Sequence, residues 1–211
     1  MFNLTPEFLI AAGLILLVAL PFHEFSHALA AYRLGDGTAK MLGRLTLNPL
    51  AHLEPIGAIL ILVAGFGWAK PTPYNPFNLR GGQYGEAIVS AAGPVSNLIL
   101  AAGAALPFRY IEATGMDVPL LVLQTLYFFV AINVILLVFN LIPIPPLDGS
   151  KVLYAVLDRE TAFRVRPFLD QYGPMILLAL IFVPRFVGIV SPLNIVFEVV
   201  ANPIISLLLG T

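Results

Sequence analysis

His23-Glu24-Phe25-Ser26-His27 places two histidines four residues apart with a glutamate beside the first. On an α-helix, residues four apart share a face, so both imidazoles can ligate one Zn²⁺ while Glu24, one position on, reaches water at that metal as a general base. The motif lies within Phe8 to Tyr32, a stretch otherwise almost wholly apolar. Ionisable groups at membrane depth are costly and usually face a functional interior, which favours a metal-binding motif inside a membrane over a pair of packing histidines.

A catalytic zinc site usually has three protein ligands and an open position for water, so a third ligand must come from elsewhere. The longer zincin pattern, with a third histidine six residues past the motif, is excluded because that position is Arg33. His52 and Glu54 are available, but both lie in the turn-prone Asn48-Pro49-Leu50-Ala51-His52-Leu53-Glu54-Pro55, where an interfacial polar loop explains them better. Asp148 is the better candidate. It follows Asn140-Leu141-Ile142-Pro143-Ile144-Pro145-Pro146-Leu147, whose prolines end a helix at the apolar boundary, and Gly149 permits the close backbone approach that lets a short carboxylate point back into a bundle. Depth agrees, since His27 lies roughly 9 Å before the end of its helix and Asp148 just past the end of its own span. The competing role for Asp148 is the N-cap of a helix starting near Lys151.

These residues need spans to carry them. Apolar runs predict a first span over 5–33, a second over 87–106, a third over 118–142, and two less regular ones over 169–184 and 193–209. The run 56–66, bounded by Pro55 and a Gly67-Trp68 turn, falls short of the ~20 residues a crossing helix needs and is expected to be re-entrant or interfacial. Prolines at 71, 73 and 76 favour an extended segment over 68–84, which can edge a cleft or form an ordinary loop. The expectation is an all-α polytopic membrane protein of about five to six transmembrane helices, with a re-entrant or extended segment between the first two long spans. One membrane-embedded domain is expected over 1–211, with a catalytic core of about 5–150 and C-terminal helices over about 160–210.

Composition supports this organisation. The chain is 59% hydrophobic and 11% charged, which excludes an ordinary soluble domain. Its net charge of −1 and lack of a basic cluster give no reason to expect nucleic acid as a partner. With no cysteine, any metal must be held by His, carboxylate or water. No Lys or Arg precedes Arg33, so the first apolar run is expected to be a span and not a cleaved signal peptide. If 56–66 does not cross, Arg33, Lys40, Arg44, Lys70 and Arg80 share a side with Lys151, Arg159, Arg164 and Arg166, while 107–117 carries only Arg109. The positive-inside bias then puts both basic segments in the cytoplasm and the amino terminus outside.

The metal motif at the end of an early span, together with Asn140-Leu141-Ile142-Pro143 and Leu147-Asp148-Gly149, resembles the site-2 protease family of intramembrane zinc metalloproteases. Gly93-Pro94-Val95-Ser96-Asn97 is similar to that family's glycine-to-asparagine motif, and Asn48-Pro49 with Gly67-Trp68-Ala69-Lys70-Pro71 is similar to its compact subgroup without added soluble domains. The matches cover about residues 21–149; the last 60 resemble the family only in being hydrophobic. The resemblance implies one Zn²⁺ held by His23, His27 and Asp148, with Glu24 as catalytic base. It implies that Asn140 positions or stabilises the reacting carbonyl and that Asn97 lines the site or holds substrate backbone, although Gly93 and Asn97 also fit a helix-packing face. The implied substrate is a transmembrane protein or peptide, such as an anti-sigma factor or signal-peptide remnant, cut in a prokaryotic plasma membrane with the active site toward the cytoplasm. Two other functions fit the same residues: a membrane-anchored metalloprotease using Glu54 as third ligand, and a zinc transporter or non-catalytic zinc-binding scaffold. The sequence is silent on oligomeric state.

Overall fold

The computed structural model describes residues 5–64 and 69–211. Five helices among them are long and apolar enough to cross a membrane. The first, α1, runs over Pro6–Arg33, capped by Thr5, whose hydroxyl accepts from the Phe8 amide at 3.3 Å. Its middle turn, Ile15–Ala19, widens to a π-helix just before Pro21. A proline has no N–H for the ladder and its ring crowds the preceding turn, so a widened turn absorbs the defect immediately before the metal motif.

A short helix α2 occupies Pro55–Ala64. Its ten described residues rise only about 15 Å, half the hydrocarbon thickness and too little to cross by themselves. Its apolar run continues into 65–68, outside the described residues, as do the Gly67-Trp68 turn and its part of the compact-subgroup match. From Ala69 to Asn75 the backbone, which holds Pro71 and Pro73, forms no helix or strand and is extended at Asn75, before a 3₁₀ turn at Pro76–Asn78.

The central element is α3, Gln83–Thr114, which packs against α1, against α4 (Leu120–Asn140), and against α5 (Gly149–Val156). It is longer than the expected 87–106. Pro107 does not end it; the helix continues to Thr114 and stops at Gly115, whose φ of 62° gives a left-handed cap. Likewise α6 spans Arg159–Val187, beginning well before the expected 169 because Asp158 caps it through the Thr161 amide at 3.0 Å and its first turns are amphipathic. The last span, α7, covers Pro192–Leu209 and widens at Phe197–Ala201, again ahead of a proline, Pro203.

The bundle divides along its length. Toward the end of α3, Ala101, Ala105 and Phe108 meet Val130, Val134 and Val138 of α4 and Ala201, Ile205 and Leu209 of α7 in an apolar core. Toward its start, α3 carries buried polar side chains, Glu86, Ser90, Ser96 and Asn97. That polar half holds the metal motif. At the entry to α3 the preceding loop folds back so closely that a Cβ on Gly85 would lie 2.4 Å from the Arg80 carbonyl oxygen.

Candidate metal centre and active site

His23, Glu24 and His27 are all buried on the inner face of α1. The Nε2 atoms of His23 and His27 lie 3.0 Å apart, and Asp148 Oδ2 lies 3.3 Å from each. Asp148 reaches them from the loop after α4. That loop folds back so tightly that a Cβ on Gly149 would stand 2.2 Å from the Leu141 oxygen, which makes glycine obligatory. Asp148 occupies the N-cap position of α5 but its side chain makes no capping hydrogen bond; it turns to the histidines instead.

The ring orientations are set from behind. His23 Nδ1 lies 2.6 Å from Asn97 Oδ1, and His27 Nδ1 lies 2.7 Å from the Val89 carbonyl oxygen. Both partners are acceptors, so both Nδ1 atoms donate and, in the neutral rings, both Nε2 lone pairs face one another and the Asp148 carboxylate. Such convergence of three donor atoms is repulsive without a cation. Around a tetrahedral zinc with bonds of about 2.0–2.1 Å, ligand atoms sit about 3.3 Å apart, close to the separations found. The space is also kept open, because a Cβ on Gly93 would approach His27 Nε2 to 2.3 Å and His23 Nε2 to 2.6 Å. The residues present therefore fit a bound zinc.

His52 and Glu54 are elsewhere. His52 is fully buried, with Nε2 donating to the Thr46 carbonyl at 2.7 Å, and Glu54 caps α2 through the Gly57 amide at 2.7 Å. Among the described residues, His23, His27 and Asp148 form the one group able to hold a metal.

A cavity of about 570 Å³ opens onto this cluster, lined by Glu24, Ser90, Asn140 and Lys151, by Pro174, Leu177 and Leu178 of α6, and by the extended segment at Ala69, Pro71, Thr72 and Tyr74. The extended segment thus edges the cleft. Thr72 grips Glu24 twice, donating its amide to the carboxylate at 2.8 Å and its hydroxyl to the Glu24 carbonyl at 3.0 Å. Behind the segment, Tyr74 donates to buried Glu86 at 3.3 Å, and Arg166 of α6 pairs with the same carboxylate at 3.0 and 3.2 Å. Burial, then the Glu86 charge, push the Tyr74 hydroxyl above its ordinary range, so it remains a donor.

The two asparagines are placed differently from one another. Asn140 lines the cavity, with its amide nitrogen donating back to the Leu136 carbonyl at 3.0 Å. Asn97 is fully buried behind His23, with its amide oxygen 2.6 Å from the ring Nδ1. Asn133 and Thr72, which sequence reasoning did not single out, complete the surroundings. Neither belongs to a spacing pattern with His23 or Glu24.

A buried His₂–carboxylate cluster beside a glutamate, opening to a cavity within a bundle of apolar spans, defines a membrane-embedded metallopeptidase. The sequence model of peptidase family M50 matches residues 106–183, which carries the resemblance into the last 60 residues as well. YwhC of Bacillus subtilis (strain 168), named as a candidate zinc metalloprotease, is 41% identical over 174 residues, covering 80% of this chain and 78% of the relative. Rip2 of Mycolicibacterium smegmatis, named likewise, is 33% identical over 80% of this chain and 65% of its own length. Rip3 of Mycobacterium tuberculosis is 30% identical over 82% of this chain but only 38% of its own. No solved structure matches. The chain belongs to peptidase family M50, the site-2 protease family of intramembrane zinc metalloproteases.

Proposed function

We propose that this chain hydrolyses a peptide bond in or near the transmembrane segment of a membrane protein, with His23, His27 and Asp148 holding one Zn²⁺ and Glu24 acting as general base. The observation that carries the reading is the convergence of two Nε2 atoms and one carboxylate oxygen on a cavity inside the bundle. Zinc, when bound there, supplies a Lewis acid that polarises a carbonyl and acidifies water. Glu24 takes the proton of the attacking water and returns it to the departing amide nitrogen. The two Thr72 hydrogen bonds hold the Glu24 backbone and carboxylate in place for this transfer. Asn140, on the same cavity wall, donates to the carbonyl oxygen as charge develops, after its amide leaves the Leu136 carbonyl. Asn97 acts through His23 and not on substrate.

A substrate helix has each carbonyl tied up in its own ladder, so it must unwind locally, which favours Gly, Pro or Asn near the cut. The 211 residues act as one catalytic unit, since α6 beyond the core contributes Pro174, Leu177 and Leu178 to the cavity wall. The basic segments on either side of α3 and α4 favour an active site toward the cytoplasm of a prokaryotic plasma membrane.

The test is cleavage of a reconstituted single-span protein carrying a helix-breaking pair in its span. Wild type should cut within the span, and Glu24→Gln should lose about 10²–10⁴-fold in turnover while keeping its zinc. Undiminished cleavage by Glu24→Gln, or cuts confined to soluble segments, would reject the proposal. A transporter would instead keep its zinc flux in that variant.

A further inference from the structure

Behind His23 a line of buried amides runs across three helices. His23 Nδ1 faces Asn97 Oδ1 at 2.6 Å, Asn97 Nδ2 faces Asn133 Oδ1 at 3.0 Å, and Asn133 Nδ2 faces the Phe129 carbonyl oxygen at 2.9 Å. Asn97 and Asn133 are both fully buried, so no water competes along the line. Its far end is a backbone carbonyl, which can only accept. Asn133 must therefore present its NH₂ to Phe129 and its oxygen to Asn97. Asn97 must then present its own NH₂ to Asn133 and its oxygen to His23, which leaves His23 no choice but to donate from Nδ1 and keep a bare lone pair on Nε2.

We infer that Asn133 is a positioning residue for the metal site: it polarises the Asn97 amide and so dictates the His23 tautomer that can ligate zinc. This rests on the reading of His23 as a ligand. Without Asn133, the Asn97 amide is free to rotate by half a turn and offer its NH₂ to His23 Nδ1. The ring then carries its proton on Nε2, where no metal can bind. His27 needs no such device, because the Val89 carbonyl is itself an acceptor with fixed sense. The inference separates Asn133 from a residue that only glues α4 to α3, since a glue needs any hydrogen bond whereas the relay needs an acceptor aimed at Asn97.

Aspartate at position 133 supplies the discriminating variant. Its carboxyl group offers an oxygen that accepts from the Asn97 amide nitrogen, the same sense as the Asn133 amide oxygen it replaces. Zinc affinity of the full-length protein in detergent, measured by chelator competition, should fall about 10–100-fold in Asn133→Leu and Asn133→Ala and stay within about threefold of wild type in Asn133→Asp. In the metal-free protein labelled with ¹⁵N-histidine, the His23 Nδ1–H should be protected from exchange in wild type and Asn133→Asp, and lose that protection in the apolar variants. Asn133→Leu placed on Asn97→Leu should cost nothing further. Equal losses in both backgrounds, an Asp variant as weak as the Leu variant, or a wild-type His23 without a protected Nδ1–H would each overturn the inference. If both apolar variants fail to fold, the wild-type resonance and the Asp variant still decide. His23→Ala separates the two claims: unchanged zinc affinity there removes the ligand assignment itself.

Discussion

A methyl group at Gly93 would stand 2.3 Å from His27 Nε2 and 2.6 Å from His23 Nε2, closer than side-chain carbons approach ring nitrogens. Gly93→Ala should therefore reduce zinc affinity by at least about tenfold while leaving α3 helical, since alanine is the better helix former. Zinc titration beside circular dichroism checks both halves. The two histidines and Glu24 were legible because ligand spacing on a helix is itself a pattern, and Asp148 was legible because prolines and Gly149 announce a break at the right depth. Gly93 and Asn97 stood out only as a motif; which atoms they serve depends on how closely α1 lies against α3. Asn133 was not legible at all. A single asparagine in an apolar run has no spacing that points to His23, and its role exists only through Asn97.

At the scale of elements, the extended segment is secured at several points along its length. The Lys70 amide donates to the His52 carbonyl at 2.8 Å, its carbonyl accepts from Arg44, and Thr72 holds Glu24. At the far end, Asp36 accepts from the Asn75 amide at 2.9 Å, from Asn78 at 2.9 Å, and from the Thr38 hydroxyl at 2.7 Å. Burial opposes the charged form, but these donors hold the Asp36 carboxyl below its ordinary value. A depressed folded pKa contributes stability that is present above the unfolded value and lost as pH falls through the folded one. Asp36→Ala should cost about 2–3 kcal/mol near neutrality. The difference from wild type should shrink as pH falls below about 4, towards and through the depressed folded value. Thermal unfolding in detergent across that range measures it, and a gap that widens in acid would contradict the assignment. The extended backbone here was legible from its prolines. The true lengths of α3 and α6 were not, because Pro107 and the charged start of α6 resemble helix ends in sequence, whereas packing and the Asp158 cap decide otherwise.

At the scale of the molecule, five crossings would put the segments before α3 and after α4 on one face. The chain has no cysteine, so single cysteines report without background. Lys40→Cys and Arg159→Cys should label from the same side of sealed vesicles and Glu112→Cys from the other; labelling of the first two from opposite sides would require another crossing. The match covers 78% of YwhC, 65% of the Mycolicibacterium smegmatis Rip2 and 38% of Rip3. The molecule is a bundle whose apolar half is closed by α7 and whose polar half brings His23, His27 and Asp148 together on a cavity. The most direct test of that convergence is zinc stoichiometry in the purified protein and in Asp148→Ala and Glu54→Ala. Wild type and Glu54→Ala should hold one zinc per chain and Asp148→Ala should lose it; retention without Asp148 together with loss without Glu54 would contradict the account.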